Sequence, residues 1–205
     1  MAKEIRYALS FTSGSLLLHE AGVAVPLYDS ERDWKIVREK LEEDNLLQAR
    51  TVASSTRRAR EVTQRLALLS DEEIDLLTAA TSTERGHLLW VAACRRYQLI
   101  GEFAEEVLRE RFLTMANTLS YEEFDAFLHG KALWHDEIEE LAASTVYKLR
   151  ANLFRMMVES GLLSDEGSIL PTLVSSRLAS LLEERQPSDL RFFPSRSTSK
   201  GVVAL

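Results

Sequence analysis

Five arginines crowd positions 50 to 65: Arg50, Arg57, Arg58, Arg60 and Arg65, with Glu61 as the single acid among them. The residues just before are acidic (Glu42, Glu43, Asp44), and the whole chain carries a formal net charge of -7. The cluster is therefore a local positive field on an acidic protein, of a kind that can hold a phosphate backbone or an acidic partner. Helical spacing puts Arg57, Arg60, Glu61 and Gln64 on one face, with Arg58 and Arg65 flanking. As a nucleic-acid surface, Arg57, Arg58, Arg60 and Arg65 take phosphates, Arg50 sits near the turn, and Thr56 and Gln64 reach the groove. Lys148, Asn152 and Arg155 recur at helical spacing further on and form a second contact set. Phosphate contacts position a protein without reading sequence, so these arginine-rich, amide-poor faces predict weak sequence preference. The same pattern also fits a solvated helix face, since most helix pairs touch no DNA.

Other chemistry is sparse. His129 and His135 are six apart across Gly130, a spacing that one helix face cannot use for a metal, and surface or capping roles fit them better. Cys94, the single cysteine, sits among apolar neighbours as a core residue would. No Gly-rich phosphate loop follows a strand. Glu42-Glu43, Glu72-Glu73, Glu105-Glu106 and Glu139-Glu140 lie beside basic residues, as solvated helix faces do. Trp34 and Trp90 sit at apolar helical positions and read as core; Trp134 lies near a turn. The inventory argues against an enzyme, and no cofactor or metal is expected.

The elements that must position these residues are helices. Leu, Ala, Glu and Arg dominate, and only 8 Gly and 4 Pro interrupt 205 residues, which predicts an all-α protein. A single cysteine, no secretory signal and no apolar run near the roughly 20 residues needed to span a bilayer point to a cytoplasmic protein with no membrane contact. Residues 1–80 form an N-terminal helical region. In it a helix from Ser13 stops at Pro26. Ser30 caps the next, which carries Trp34, Val37 and Leu41, and Ser54 or Ser55 caps the arginine helix, whose buried stripe is Ala59, Val62, Leu66 and Leu69. Helix, short turn and Ser-capped basic helix are the layout of a helix-turn-helix. Residues 81–119 form a central helical scaffold with a joint at Gly101. Residues 120–194 open on the capping box Ser120-x-x-Glu123, pass Gly130 as a helix stop, and continue with a long helix to Glu159 capped by Ser144 or Thr145 and closed at Gly161. The turn Ser164 to Ser168 then offers a short hairpin. This resembles a second, winged helix-turn-helix, and a plain helical bundle end fits the same residues. A flexible tail is predicted over 195–205.

Several segments resemble the BrxA family of small components of bacterial BREX bacteriophage-exclusion systems. They are Glu43-Asp44-Asn45-Leu46-Leu47-Gln48-Ala49-Arg50, Ser54-Ser55-Thr56-Arg57-Arg58 and Arg65-Leu66, then Leu99-Ile100-Gly101-Glu102-Phe103, Arg111-Phe112, Ser144-Thr145-Val146, Glu159-Ser160-Gly161-Leu162-Leu163 and Leu190-Arg191-Phe192-Phe193. The resemblance spans nearly the whole chain. It implies an all-helical protein with helix-turn-helix elements that binds double-stranded DNA, beside other BREX components that include a methyltransferase marking host DNA; a monomer is expected. It implies no catalytic residues. The family's likeness to the NusB-type RNA antitermination fold makes RNA a rival ligand. An adaptor that docks its arginine helix on an acidic partner is a third reading, and the net charge of -7 favours it.

Overall fold

Thr81 and Glu84 exchange bonds between side chain and backbone, and this reciprocal cap starts the helix Ser82–Arg96. That helix is apolar on almost every side: Leu88, Leu89, Trp90, Val91, Ala92, Ala93 and Cys94 are all buried. A helix of this kind must be wrapped by others. In the computed structural model, which describes residues 6–11 and 15–196, it is wrapped by helices from both halves of the chain. In chain order these are α1 (Leu18–Glu31), α2 (Trp34–Glu43), α3 (Val52–Leu66), α4 (Asp71–Thr78), the central α5 (Ser82–Arg96) and α6 (Gln98–Phe103). A π-helical turn (Ala104–Arg109) joins α6 to α7 (Glu110–Leu113). Then follow α8 (Tyr121–Ala132), α9 (Asp136–Glu139), α10 (Ala143–Glu159), α11 (Ser176–Glu183) and a final 3-10 turn (Asp189–Phe192). The all-α expectation holds, and the N-terminal, central and C-terminal regions share one hydrophobic core.

Two polar connections fasten α4 and the C-terminal segment to the centre. The indole N–H of Trp90 donates to the Phe192 carbonyl at 3.0 Å. Arg95 meets Glu73 through two bonds of 2.6 Å and Asp189 at 2.8 Å, with all three side chains buried.

Several boundaries fall elsewhere than the sequence predicts. Helix α1 starts at Leu18 and runs through Pro26 to Glu31. The proline removes one donor and crowds the carbonyl four residues back, but Gly22 and Pro26 are both exposed, so the break faces water. Ser30 therefore lies within α1, and Asp33 caps α2 by accepting from the Lys35 N–H at 2.7 Å. Thr51 caps α3, one turn before Ser54 and Ser55. Helix α10 begins at Ala143, ahead of Ser144 and Thr145, with no side-chain cap. Helix α8 continues through Gly130 to Ala132. The joint in the scaffold is at Tyr97, whose backbone is extended. Gly101 lies inside α6, where a Cβ would come within 3.2 Å of the Cys94 carbonyl and the Phe192 ring. Ser195, where the sequence predicts the flexible tail to begin, is buried, and 197–205 lie outside the described residues.

After α10 the chain makes a small hairpin. Gly161 (φ 72°) closes the helix, Leu163 bridges Ile169, and Ser168 bridges Thr118, both antiparallel. Gly167 sits at the tip with φ 84°, and a Cβ there would lie 2.8 Å from the Leu119 carbonyl oxygen, so only glycine fits.

Glu84 also ties α5 to α11, since it accepts from Ser175 Oγ at 2.7 Å and pairs with Arg177 at 3.3 Å. The Ser175 bond, the Thr81 cap and Arg177 hold its carboxyl at about 2, below the ordinary 4.5. A depressed carboxylate stabilises the fold fully above its unfolded value and loses that contribution as pH falls through the folded value. The gap in melting temperature between the wild type and Glu84→Gln should therefore be wide at neutral pH and narrow between pH 4.5 and 2, as followed by circular dichroism.

Candidate nucleic-acid interface

Helices α2 and α3 pack against each other through Val37 and Leu41 on one side and Ala59, Val62 and Leu66 on the other, all buried. Their connection, residues 44–51, is longer than a tight turn and contains two left-handed residues, Asn45 (φ 44°) and Gln48 (φ 49°). Asn45 clamps it at both ends: Ala49 N–H donates to Asn45 Oδ1 at 2.9 Å, and Asn45 Nδ2 donates to the Ala49 carbonyl at 3.1 Å. The polar face of α3 is thus presented by an extended, braced loop.

The arginines of this face have different fates. Arg50, Arg57 and Arg60 are exposed, with no carboxylate within 4 Å among the described residues. Arg58 is about half exposed and lies 3.7 Å from Glu20. Arg65 is only 2 % exposed. Its Nε donates to Glu61 at 2.7 Å, its Nη1 donates to the Ser15 carbonyl at 2.8 Å, and its guanidinium lies over the Tyr97 ring. Glu61 also accepts from the Tyr97 hydroxyl at 2.5 Å, and burial together with this carboxylate raises the tyrosine pKa. Arg65 is a core ion and does not belong in the phosphate-contact set. At the helix edge it is drawn inward because Glu61, one turn back, and Ser15 supply its partners. Gln64 is held by Arg96 at 3.1 Å, and Thr56 is half-buried.

On α10, Lys148 and Arg155 are exposed but Asn152 is buried and donates to the Phe11 carbonyl at 2.9 Å. Asn152 is therefore an internal tether and also leaves the contact set. Two turns on, Glu159 accepts from the Leu16 N–H at 2.7 Å. The N-terminal lead is thus pinned to α10, while its Ser15 carbonyl binds Arg65 of α3. This shared strap brings the two predicted sets together: Arg57 and Arg58 of α3 and Arg155 of α10 line one cleft of about 250 Å³ with Ser15, Leu17, Glu20 and Glu61. Three arginines thus border the cleft together with two carboxylates, one of which is committed to Arg65 and Tyr97.

The BrxA family model matches residues 5–186. The chain belongs to the BrxA family. Three relatives called BREX protein BrxA align over most of their length. Identity is 23 % to the one from Escherichia coli O9:H4 (strain HS), covering 84 % of this chain and 88 % of that one. It is 24 % to that of Paramagnetospirillum magneticum (strain ATCC 700264 / AMB-1), covering 88 % and 92 %, and 25 % to that of Bacillus cereus (strain H3081.97), covering 81 % and 83 %. A crystal structure of an uncharacterized protein from Magnetospirillum magneticum shares the fold, with a TM-score of 0.78 and 24 % identity over 93 % of this chain and all of that one.

Much of what resembles BrxA in this sequence is scaffolding rather than surface. Asn45 braces the loop, Leu47 fills the core, Arg65 is an internal ion, and Leu190 to Phe193 close the core over Trp90. The partners of the arginines, Glu20 and Tyr97, escape a reading by spacing because one lies on α1 and the other at the joint after α5. Arg65→Ala would remove the buried guanidinium and leave the half-buried Glu61 without its cation, and should cost about 2–4 kcal/mol in urea unfolding. Arg57→Ala and Arg60→Ala, both exposed, should stay within about 0.5 kcal/mol of the wild type.

Proposed function

We propose that this protein is a double-stranded-DNA-binding component of a BREX phage-defence system, acting by binding rather than by catalysis. The observation that carries the reading is the convergence of Arg57, Arg58 and Arg155 from two distant helices on one cleft, with Arg50 and Arg60 exposed beside it. Guanidinium groups pair with phosphate oxygens through parallel N–H bonds. These five cations keep every predicted arginine except Arg65, Arg155 coming from the second predicted set, and Lys148 lies two turns before Arg155 on α10. The order helix, bridge at Thr118, α8, α9, α10 and hairpin at 163–169 is compatible with a winged helix-turn-helix and supports the same reading. The hairpin tip carries Asp165 and Glu166, so phosphate contact in the C-terminal half is confined to Lys148 and Arg155. The relatives' name, BREX protein BrxA, supports a place beside other BREX components.

With about five phosphates neutralised, the log–log salt dependence of duplex binding should have a slope of roughly -4 to -5. Arg57→Glu/Arg58→Glu should weaken binding by well over tenfold with little change between DNA sequences. Fluorescence anisotropy with duplex DNA, single-stranded DNA and structured RNA in parallel measures all of this. A slope near zero, an unaffected double variant, or preference for RNA over duplex would refute the reading.

A further inference from the structure

A second surface lies on a different side of α10 from Arg155. Helices α8, α9 and α10 enclose a groove of about 730 Å³. Leu128, Ile138 and Val146 line it, the first two only 5 % exposed. Leu133 and Tyr147 stand at the same groove with 72 % and 62 % of their surface in water, and Trp134, next to Leu133, is 72 % exposed. Large apolar side chains scattered singly over a surface are ordinary; gathered around one apolar groove they mark a binding site. Aromatic anchors of this kind carry much of the energy of protein interfaces.

The charges around the groove choose its occupant. Asp125, Asp136 and Glu139 line it. The one guanidinium present, Arg150, is spent: it pairs with Asp125 and lies over the rings of Tyr121 and Tyr147. Asp136 and Glu139 are exposed and have no cation within 4 Å among the described residues. His129 is the remaining polar lining residue. An acidic, apolar groove repels phosphate, so it is no extension of the arginine cleft. A two-fold pairing of identical copies would set the same acidic groove against itself, which like charges oppose.

We infer that this groove docks a helical segment of a partner protein, apolar along one face and lined with lysine or arginine at its edges. Its apolar side chains, spaced i, i+3, i+4 and i+7, seat against Leu128, Ile138 and Val146 beneath Leu133 and Tyr147. Its basic residues pair with Asp136 and Glu139. The two surfaces occupy different faces of α10, so a protein partner and a nucleic acid can be held at once, and the groove does not depend on the DNA reading.

The test uses the full chain and two labelled helical peptides with leucine at i, i+3, i+4 and i+7, one with lysine at the remaining positions and one with glutamate. The Leu/Lys peptide should bind at least about tenfold more tightly than the Leu/Glu peptide. Asp136→Lys/Glu139→Lys should reverse that preference. Leu133→Ser, at an exposed position, should weaken the Leu/Lys peptide about tenfold while leaving the melting temperature and the DNA affinity unchanged. Equal binding of the two peptides, or a preference that survives the charge reversal, would overturn the inference. So would self-association in light scattering that Leu133→Ser abolishes, because the groove's occupant would then be a second copy.

Discussion

Arg95 is the point on which the fold turns. Its guanidinium donates to Glu73 of α4, to Asp189 of the last turn and to the Leu68 carbonyl just past the end of α3. A buried cation is tolerable only when its donors are met, and here four bonds from three separate segments meet them. The arrangement therefore dictates where α3 ends, how α4 leans on α5, and where the C-terminal segment must return. Trp90 repeats the constraint one turn earlier by donating to Phe192. With α4 and the C-terminal segment held against α5, the N-terminal lead runs between α3 and α10, and its Ser15 and Leu17 line the arginine cleft.

Charge is distributed by the same logic. The chain has more acid than base, yet its surface is not uniformly acidic. Around α3 the neighbouring carboxylates are withdrawn into bonds: Glu61 serves Arg65 and Tyr97, and Glu20 leans on Arg58. Arg50, Arg57 and Arg60 then face water with little to cancel them. Around α8, α9 and the hairpin the reverse holds, since Arg150 and Lys131 are consumed by carboxylates and further acids remain. Local pairing, rather than composition, thus produces a positive face and a negative one. Fields of this kind act at short range because salt screens exposed charges beyond about 10 Å.

A good part of this was legible in the sequence. Apolar spacing placed Val37, Leu41, Ala59, Val62 and Leu66 in the core, and all are buried. Ser120-x-x-Glu123 announced α8, Gly161 closed α10, and Trp90 and Cys94 read as interior. Burial pushes the Cys94 thiol well up, consistent with a packing role. These features rest on interactions between residues a few positions apart. The failures share the opposite character. Pro26 looked like a stop because the sequence does not say that its break faces water. Gly101 looked like a joint, whereas its missing side chain admits Phe192 from far along the chain. Trp134, near a turn, is left in the open beside an acidic groove.

By itself, then, the sequence determined that this is a helical protein with an arginine-rich helix on an acidic chain, because helical periodicity and local charge are properties of neighbours. Only the tertiary structure decided which cations remain available. Arg65 and Arg57 are the same residue type on the same helix, yet one is an internal ion and the other faces solvent. The difference lies in Glu61, Ser15 and Tyr97, brought to Arg65 from one turn, fifty residues and thirty-two residues away. Asn152 and Arg155 part in the same way on α10, because the Phe11 carbonyl of the lead takes up the Asn152 amide while Arg155 stays exposed. Whether a charged side chain binds outward or inward depends on partners that only folding assembles.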